Sequence, residues 1–464
     1  MKGQGQKASL ERGALKLYES IIMGIAGTAP AYSIAATTGA LIATVGLLAP
    51  ASILYAGMMI AGIALAYMYL NRVDANAGAA YAWVGRIFHP VLGFFAGWAL
   101  LVSSVIFMVS GTLPAATATL ALIDPSLADD KGWVVLAASA WLLAISAVVL
   151  KGIRLTSVVQ IVLTVGEVGI LLVIGIAALV KFAAYPVHPF SLQWFSLTAF
   201  SFPAFAGGAL IAVFFFWGWD VTANLNEETA DARHNPGRGA VASMAVTFAL
   251  FMLFCIATLL AMSDAEITQA GPNVIYALAN KLFPAPWGNL AVIAVLLSTV
   301  GTLETNILQF TRTMFAKARD GALHPRYARL HPTWKTPWAA TVLIAILGLA
   351  LLFASTYVGG VGDMLKDSIE AVGIEVAYYY GLSGLACAWY YRRALFESPS
   401  KALLLVIWPA AGALFLLAIA VISIPSLGLA ANVMGIGGML LGFIPLWLNR
   451  ARTSRRSAYS YLRP

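Results

Sequence analysis

The sequence predicts an all-α integral membrane protein with twelve transmembrane helices, of which the first and the sixth are broken. Of the 464 residues, 61% are hydrophobic and 10% are charged, whereas soluble domains carry about 25% charged residues. Apolar runs of about twenty residues, the length that a helix needs to cross a bilayer, recur along the chain. Glycine and proline interrupt two of these runs.

The apolar runs divide the chain into predicted spans. Alternating segments of about ten residues, which a transmembrane β-barrel would need, do not occur. The spans cover approximately residues 18–45, 48–70, 90–113, 132–150, 154–182, 205–228, 239–262, 287–311, 336–355, 362–391, 401–423 and 427–449. An even number of spans places both termini on the same side of the lipid bilayer.

Lysine and arginine indicate which side this is. Short cytoplasmic loops are enriched in these residues, and a cytoplasmic N-terminus puts 24 of the 28 Lys and Arg residues in the predicted inner segments. The sequence therefore predicts a multi-pass protein of the plasma (inner) membrane with both termini in the cytoplasm. Because these loops also account for the net charge of +8, no nucleic acid partner is expected.

The first span contains a cluster of helix-breaking residues. Gly24, Gly27 and Pro30 fall within seven residues; glycine weakens a helix interior by about 1 kcal/mol relative to alanine, and proline breaks the hydrogen-bond ladder. In lipid, such a break survives only inside protein or beside a water-filled cavity. It therefore indicates a transporter binding site, with a functionless kink or a tight crossing at small residues as the alternatives.

The sixth span has its own interruption, in the segment 216–220 with the sequence FWGWD. It lies five spans after the first, and an odd number of spans per unit inverts the second unit in the membrane. The simplest architecture is a 5+5 inverted repeat with a site near the midplane where the two breaks meet. The predicted domains are the N-terminal tail 1–17, the first repeat 18–182, the second repeat 205–391, two additional helices 401–449 and the C-terminal tail 450–464.

Four segments resemble the amino acid–polyamine–organocation (APC) superfamily of permeases. They are GIAGTAPAYS in the first span, GWDVTANLNEETADARHNPGRGA around the sixth, RTMFAKARDGALHPRYARLHPTWKTP after the eighth and YYYGLSGLACAWYYRR at the end of the tenth. The loop after the second span departs from the family pattern, because residues 76–79 read NAGA where the family often has a proline and paired glycines. The resemblance implies a LeuT-like fold and uptake of amino acids or related amines, often coupled to protons.

Both breaks offer groups that could bind a substrate. At the first, free backbone amides of residues 27–29 and the positive end of the following half-helix suit a carboxylate, as the resemblance also implies. At the second, backbone carbonyls suit an ammonium group, and Trp217 and Trp219 could form a wall or gate over the ligand, although packing is the plain alternative. The predicted substrate-binding residues are Ala26, Gly27, Thr28, Ala29, Phe216, Trp217, Gly218 and Trp219.

Two acids inside predicted spans are the candidates for proton coupling, because an acid at membrane depth is functional by default. Asp220 could brace the second break, take a proton or contact an amine. Glu167, near the centre of the fifth span, is predicted to carry the proton together with Ser298, Thr299 or Thr302 on the eighth span. The resemblance places a coupling charge in this region, and a purely structural acid is the alternative.

Four further acids of the spans are predicted to have supporting roles or are left undecided. Glu304 is expected at an inner gate or in packing, and Glu375 is left undecided between similar roles. Glu227 and Glu228, at the inner end of the sixth span, are expected to form solvated or gating ion pairs with Arg233 and Arg238 further along the same segment.

These features predict a secondary active transporter, a symporter that imports amino acids by alternating access with a proton. The chain has neither the GxxxxGK[ST] loop of an ATP-driven pump nor the HExxH motif of a metalloprotease. Neither enzymatic activity, a metal site nor a cofactor is therefore expected. An exchanger of amino acids or polyamines is the alternative, and a sensor that binds an amino acid without moving it is a more remote one.

Overall fold

The computed structural model describes residues 9–357 and 361–455, with the side chains of these ranges except 125, 361–364 and 450–455. Residues 1–8 of the predicted N-terminal tail and 456–464 of the predicted C-terminal tail lie outside the described residues. Within the described ranges the regular structure is helical. An isolated bridge pairs Leu15 with Thr229 in parallel orientation.

Twenty α-helices follow one another along the described chain. The first ten are α1 (Leu17–Gly27), α2 (Pro30–Val45), α3 (Ala49–Val73), α4 (Ala80–Ile87), α5 (Pro90–Ile123), α6 (Lys131–Leu150), α7 (Ile153–Phe182), α8 (Phe202–Phe215), α9 (Val221–Asn224) and α10 (Asn235–Ala261). The others are α11 (Asp264–Ala270), α12 (Val274–Leu282), α13 (Leu290–Arg319), α14 (Trp338–Ser355), α15 (Val361–Tyr390), α16 (Pro399–Ala402), α17 (Trp408–Ser423), α18 (Leu429–Asn432), α19 (Gly438–Leu441) and α20 (Phe443–Arg455).

Nine helical stretches of the described chain are long and apolar enough to cross a membrane. One of them, Leu17–Val73, has 57 residues, whereas one crossing needs about twenty. Helix α8 is apolar but shorter than a span. Helix α15 is not among the nine, and its later turns carry Glu375 and three consecutive tyrosines within the apolar run.

The helices pack around α13, which lies at the centre of the protein. It contacts α5 and α7 along its length and also reaches α1 and α2, while α10 packs against α1 and α3. Every residue of α13 from Ser298 to Ala318 is buried. In contrast, α7 leaves Val158 and Val162 59% and 67% exposed, as expected of a helix that faces lipid on one side.

The end of α13 differs from the sequence prediction. The predicted eighth span ended at residue 311 and was followed by a basic cytoplasmic loop, but α13 continues to Arg319 and buries both Arg312 and Lys317. The two cations are tolerated there because each has a partner. Arg312 forms an ion pair with Glu228, and the Lys317 ammonium donates to the Phe94 carbonyl at 2.8 Å and lies 3.8 Å from the centre of the Phe94 ring.

Candidate substrate and coupling site

The first helix interruption lies between α1 and α2. Helix α1 ends at Gly27, and Ala29 has the left-handed backbone conformation, with φ of 45°, before Pro30 opens α2. The amide of Thr28 donates to the Ile25 carbonyl and the amide of Ala29 donates to the Ala26 carbonyl, both at 3.1 Å. The prediction that the Thr28 and Ala29 amides are free is therefore wrong for this conformation, because the last turn of α1 closes on itself.

The first amides of α2 are satisfied by two other helices. The Ala31 amide donates to Glu167 Oε1 of α7 at 2.8 Å, and the Tyr32 amide donates to Ser298 Oγ of α13 at 3.2 Å. Both acceptor side chains are 1% exposed. A carboxylate at the N-terminus of a helix is favoured by the helix dipole, so Glu167 occupies the place where a ligand anion would be stabilised.

Helix α13 also contacts the end of α1. The Thr302 hydroxyl donates to the Ala26 carbonyl at 2.6 Å. The Thr299 hydroxyl instead donates to the Val295 carbonyl of its own helix at 2.8 Å. Of the three hydroxyl residues proposed as partners of Glu167, Ser298 and Thr302 therefore reach the first interruption, and Thr299 does not.

The second interruption separates α8 from α9 and is held by α15. Gly218 has φ of 106°, a conformation that favours glycine, and its amide donates to the Tyr380 hydroxyl oxygen at 3.3 Å. The same hydroxyl donates to Asp220 Oδ1 at 2.8 Å. Trp217 Nε1 donates to the Tyr379 hydroxyl at 2.9 Å. Tyr379 and Tyr380 were not predicted, although a run of tyrosines in an apolar span was a visible signal.

The two interruptions touch at Gly27 and Gly218. A Cβ atom built on either glycine would collide with the carbonyl oxygen of the other. The backbones therefore approach as closely as two glycines allow, and the structure shows a conformation in which the two breaks are closed on each other. The predicted midplane residues of both breaks are thus brought together.

Aromatic rings surround this contact, and the two predicted tryptophans lie on different sides. Trp217 packs edge-on against Phe107 at 5.4 Å between ring centres, and Phe107 in turn lies 6.5 Å from Tyr32. Trp219 is fully buried and packs against Tyr67 at 5.2 Å. Trp217 therefore shares a wall with residues of α2 and α5, while Trp219 belongs to the packing around Asp220 and α15.

Ion pairs close the end of the molecule where α13 terminates. The Arg312 guanidinium donates to both carboxylate oxygens of Glu228 at 2.8 Å, and that of Arg319 does the same to Glu227. The expected partners, Arg233 and Arg238, are not those observed, because the long α13 brings its own arginines to the chain that follows α9.

The segment before α1 is tied to the same region. The Leu15 amide donates to the Glu228 carbonyl at 3.1 Å, and the Ala230 amide donates to the Leu15 carbonyl at 2.7 Å. A cavity of about 630 Å³ adjoins these contacts and is lined in part by Arg12, Glu227 and Arg319. Nearby, burial raises the pKa of Asp74, and the adjacent Arg86 opposes this shift.

The Gly27–Gly218 contact predicts that Gly218→Ala abolishes transport. A Cβ there would meet the Gly27 carbonyl, and the left-handed conformation costs an alanine about 1–3 kcal/mol more than a glycine. Gly169→Ala is the matched control, because a Cβ at Gly169 meets nothing within 4 Å. Uptake into proteoliposomes and elution as a single species in detergent would be measured; unchanged uptake by Gly218→Ala would contradict the assignment.

Removal of the Tyr380 hydroxyl is expected to reduce both uptake and thermal stability. Tyr380→Phe leaves the Gly218 amide without its acceptor and Asp220 without its donor, at a cost of about 1–3 kcal/mol. Reduced uptake with a lower melting temperature is expected. Tyr378→Phe, two residues earlier and only half-buried, is the control and is expected to remain near wild type. Equal uptake and equal melting temperatures in the two variants would show that the hydrogen bonds of Tyr380 to Gly218 and Asp220 are dispensable.

A bundle of membrane-spanning helices whose two interruptions meet at its centre is the architecture of a multi-pass membrane transport protein. A family model for amino acid permeases matches residues 15–444. The chain therefore belongs to the amino acid permease family, within the APC superfamily.

Several curated relatives match part of the chain. The serine/threonine exchanger SteT of Bacillus subtilis is 24% identical over 318 residues, which cover 66% of each chain. The low-affinity putrescine importer PlaP of Escherichia coli is 26% identical over 311 residues, 65% of this chain and 66% of the importer. The human large neutral amino acids transporter small subunit 2 is 25% identical over 332 residues, 69% of this chain and 58% of that one. The chain thus spans just under two thirds of the length of the first two relatives.

The fold is also similar to a solved structure. A crystal structure of a variant of the Eremococcus coleocola manganese transporter aligns with a TM-score of 0.57 and 12% identity, covering 96% of this chain and 100% of that chain. This similarity concerns the fold alone, and it agrees with a LeuT-like transporter fold.

Proposed function

We propose that this chain is a secondary active transporter that imports an amino acid by alternating access, coupled to a proton. The observation that carries the proposal is the contact of two helix interruptions, at Gly27 and Gly218, inside a protein of the amino acid permease family. Interrupted backbone at membrane depth is tolerated where it lines a ligand site. No chemical transformation of the substrate is part of the proposal.

The proposed architecture has twelve spans in a 5+5 inverted repeat. Helices α1 and α2 together form the first, broken span, and α8 and α9 form the sixth. The repeats are residues 18–182 and 205–391, followed by two helices in 401–449 and flanked by the tails 1–17 and 450–464. The distribution of Lys and Arg supports cytoplasmic termini in a plasma (inner) membrane.

The proposed substrate site lies between the interruptions. Residues 26–29 take the carboxylate of the amino acid once the Thr28 and Ala29 amides leave their carbonyl partners in α1. The carbonyls of residues 216–218 take its ammonium group. Trp217 and Phe107 supply an apolar wall, and Trp219 supports the second interruption from behind. Because the Gly27 and Gly218 backbones are in contact here, the substrate is admitted only when the two segments separate.

The proposed coupling follows from the position of Glu167 at the start of α2. An ionised Glu167 accepts from the Ala31 amide and places a negative charge where the substrate carboxylate should bind. Protonation removes that charge and weakens the hold on the amide, since charge-assisted hydrogen bonds are about twice as strong as neutral ones. Proton binding and amino acid binding therefore favour each other, and such coupling is reciprocal.

The alternative function is exchange of amino acids or polyamines. It is supported by the serine/threonine exchanger among the relatives, and a putrescine importer is also similar to the chain. An exchanger needs a substrate on both sides but no change of protonation at Glu167. A polyamine has no carboxylate, so its binding would gain nothing from the removal of the charge on Glu167.

Uptake into proteoliposomes tests the proposal. The purified full-length protein is supplied with radiolabelled L-serine, L-threonine, L-leucine or putrescine, with and without an inward proton gradient and with and without unlabelled substrate inside. Accumulation of an amino acid in empty vesicles under the proton gradient is expected. Uptake only into preloaded vesicles would establish the exchanger instead, and binding without flux would refute transport.

A further inference from the structure

The buried face of α7 is polar from the centre of the protein to one end. Side chains spaced three, four and three residues apart lie on one face of a helix. On α7 these are Ser157, Gln160, Thr164 and Glu167, each at most 3% exposed. Because the opposite face of α7 is apolar and exposed, this polar row is an internal feature and does not face lipid. It follows the interface between α7 and α13.

Glu304 of α13 lies against this row. The side chain is 0% exposed, and Oε1 has no hydrogen-bond partner among the described residues. With the Gln160 amide in the orientation that satisfies both of its ends, its nitrogen donates to Glu304 Oε2 at 3.2 Å and its oxygen accepts from the Thr164 hydroxyl at 3.0 Å. One neutral donor does not compensate a buried charge, which costs several kcal/mol. The described environment therefore suits the neutral acid.

The row ends at a third acid on α1. The Ser157 hydroxyl donates to Glu19 Oε1 at 3.3 Å, and Glu19 lies in the first turn of α1, where it is only partly buried. Along α7, the step from Glu167 to Gln160 is about 10 Å and the step from Gln160 to Ser157 about 4.5 Å. Three acids, on α7, α13 and α1, thus lie along the polar row of α7 in the order Glu167, Glu304, Glu19.

We propose that Glu304 is a second proton-binding site of the transporter, which receives the proton that Glu167 releases and passes it toward Glu19 and the cytoplasm. This inference rests on the proposed proton coupling at Glu167 and extends it by naming the exit. Glu304 is therefore a relay residue rather than a packing or gate residue.

The transfer moves one proton and no other group. The O–H bond of the Glu167 carboxylic acid breaks, and an O–H bond forms on the Glu304 carboxylate, so the pair carries one negative charge before and after. Because Glu167 and Gln160 are about 10 Å apart along α7, the transfer requires water molecules between the two acids, while the Gln160 amide holds Glu304 in place.

The titratable groups around Glu304 leave it few competing partners. Helix α7 carries Arg154, Glu167 and, at its far end, Lys181; α1 carries Tyr18 and Glu19, α2 carries Tyr32, and α5 carries no titratable side chain. Arg154 is 72% exposed and paired with Glu11. On α13 itself, the nearest cation in sequence is Arg312, which is paired with Glu228.

Two substitutions of Glu304 test the inference in the full-length protein. Glu304→Gln keeps the size of the side chain but cannot bind the proton, whereas Glu304→Asp is shorter and titratable. With the best-transported compound of the panel above, Glu304→Gln is expected to lower proton-driven accumulation by at least about tenfold. Counterflow at equal pH on both sides is expected to remain near wild type. Glu304→Asp should accumulate more than Glu304→Gln; a packing role predicts the reverse order.

Glu375→Gln is the matched control. Glu375 is also 0% exposed, with both carboxylate oxygens unpartnered among the described residues, but it lies on α15, away from the α7 row. It is expected to accumulate substrate like wild type. Equal losses in Glu304→Gln and Glu375→Gln would overturn the inference, as would wild-type accumulation by Glu304→Gln. If Glu304→Gln also loses counterflow, failure of Glu304→Asp to restore accumulation overturns it.

The same experiment separates this inference from the proposed function. If the wild-type protein accumulates substrate under the proton gradient and Glu304→Gln does so equally, the relay is refuted and the symporter stands. If the wild-type protein does not respond to the gradient, the proton coupling fails and the relay is refuted with it.

Discussion

Glu167→Gln is expected to abolish proton-driven accumulation while leaving counterflow intact. Glutamine keeps the size of the side chain and an oxygen that accepts from the Ala31 amide, so the start of α2 should stay in place. What is lost is the exchange of a proton. One proton per neutral substrate supports at most about tenfold accumulation per pH unit, and this ratio is expected to fall to one in the variant.

The measurement compares wild type and Glu167→Gln in the same vesicles at several inward pH gradients. Thr299→Ala is the control, because its hydroxyl bonds only to its own helix, and its accumulation should follow the gradient as wild type does. Gradient-dependent accumulation by Glu167→Gln would exclude Glu167 as the coupling residue and would favour Asp220 for that role.

Arg312→Met is expected to destabilise the protein more than Arg319→Met, because the Arg312–Glu228 ion pair is buried and the Arg319–Glu227 ion pair is partly exposed. The side chains of Arg312 and Glu228 are 0% and 1% exposed. The substitution therefore leaves the Glu228 carboxylate buried without its bidentate partner. Removing one member of a buried ion pair typically costs about 3–5 kcal/mol. A lower melting temperature in detergent is therefore expected, together with reduced transport, because the pair joins α13 to the segment after α9.

Arg319→Met provides the comparison for this pair. The Arg319–Glu227 pair has similar geometry, but its side chains are 36% and 22% exposed, so solvent screens the charges and the expected cost is about 1 kcal/mol or less. Adding Glu228→Gln to Arg312→Met should recover part of the stability, since the uncompensated charge is removed. Equal melting temperatures for Arg312→Met and Arg319→Met would contradict the role of burial.

Local sequence patterns indicate where a helix is interrupted, because glycine and proline act on the chain within a few residues. The structure ends α1 at Gly27, begins α2 at Pro30 and places the Gly218 turn between α8 and α9. The same patterns misplaced the end of α13. Hydropathy treats Arg312 and Lys317 as solvated charges, whereas Glu228 and the Phe94 carbonyl allow both to be buried.

The partners of the candidate site could not be predicted in this way. The amides of Thr28 and Ala29 were expected to be free, but they donate to the Ile25 and Ala26 carbonyls in the last turn of α1. Glu167 was a candidate because of its depth in a span, yet its bond to the Ala31 amide joins residues 136 positions apart. Sequence periodicity along one helix contains no information about such a contact.

The sequence by itself determined the class of this protein: a multi-pass helical membrane protein of the APC superfamily. Hydrophobic length and local helix-breaking residues are properties of consecutive positions, so they can be read without a fold. Tertiary structure alone decided which groups meet: the two interruptions at Gly27 and Gly218, Glu167 at the start of α2, and Arg312 beside Glu228. These contacts depend on how helices distant in the chain pack, because burial forces each polar group to find its partner on whichever helix lies beside it.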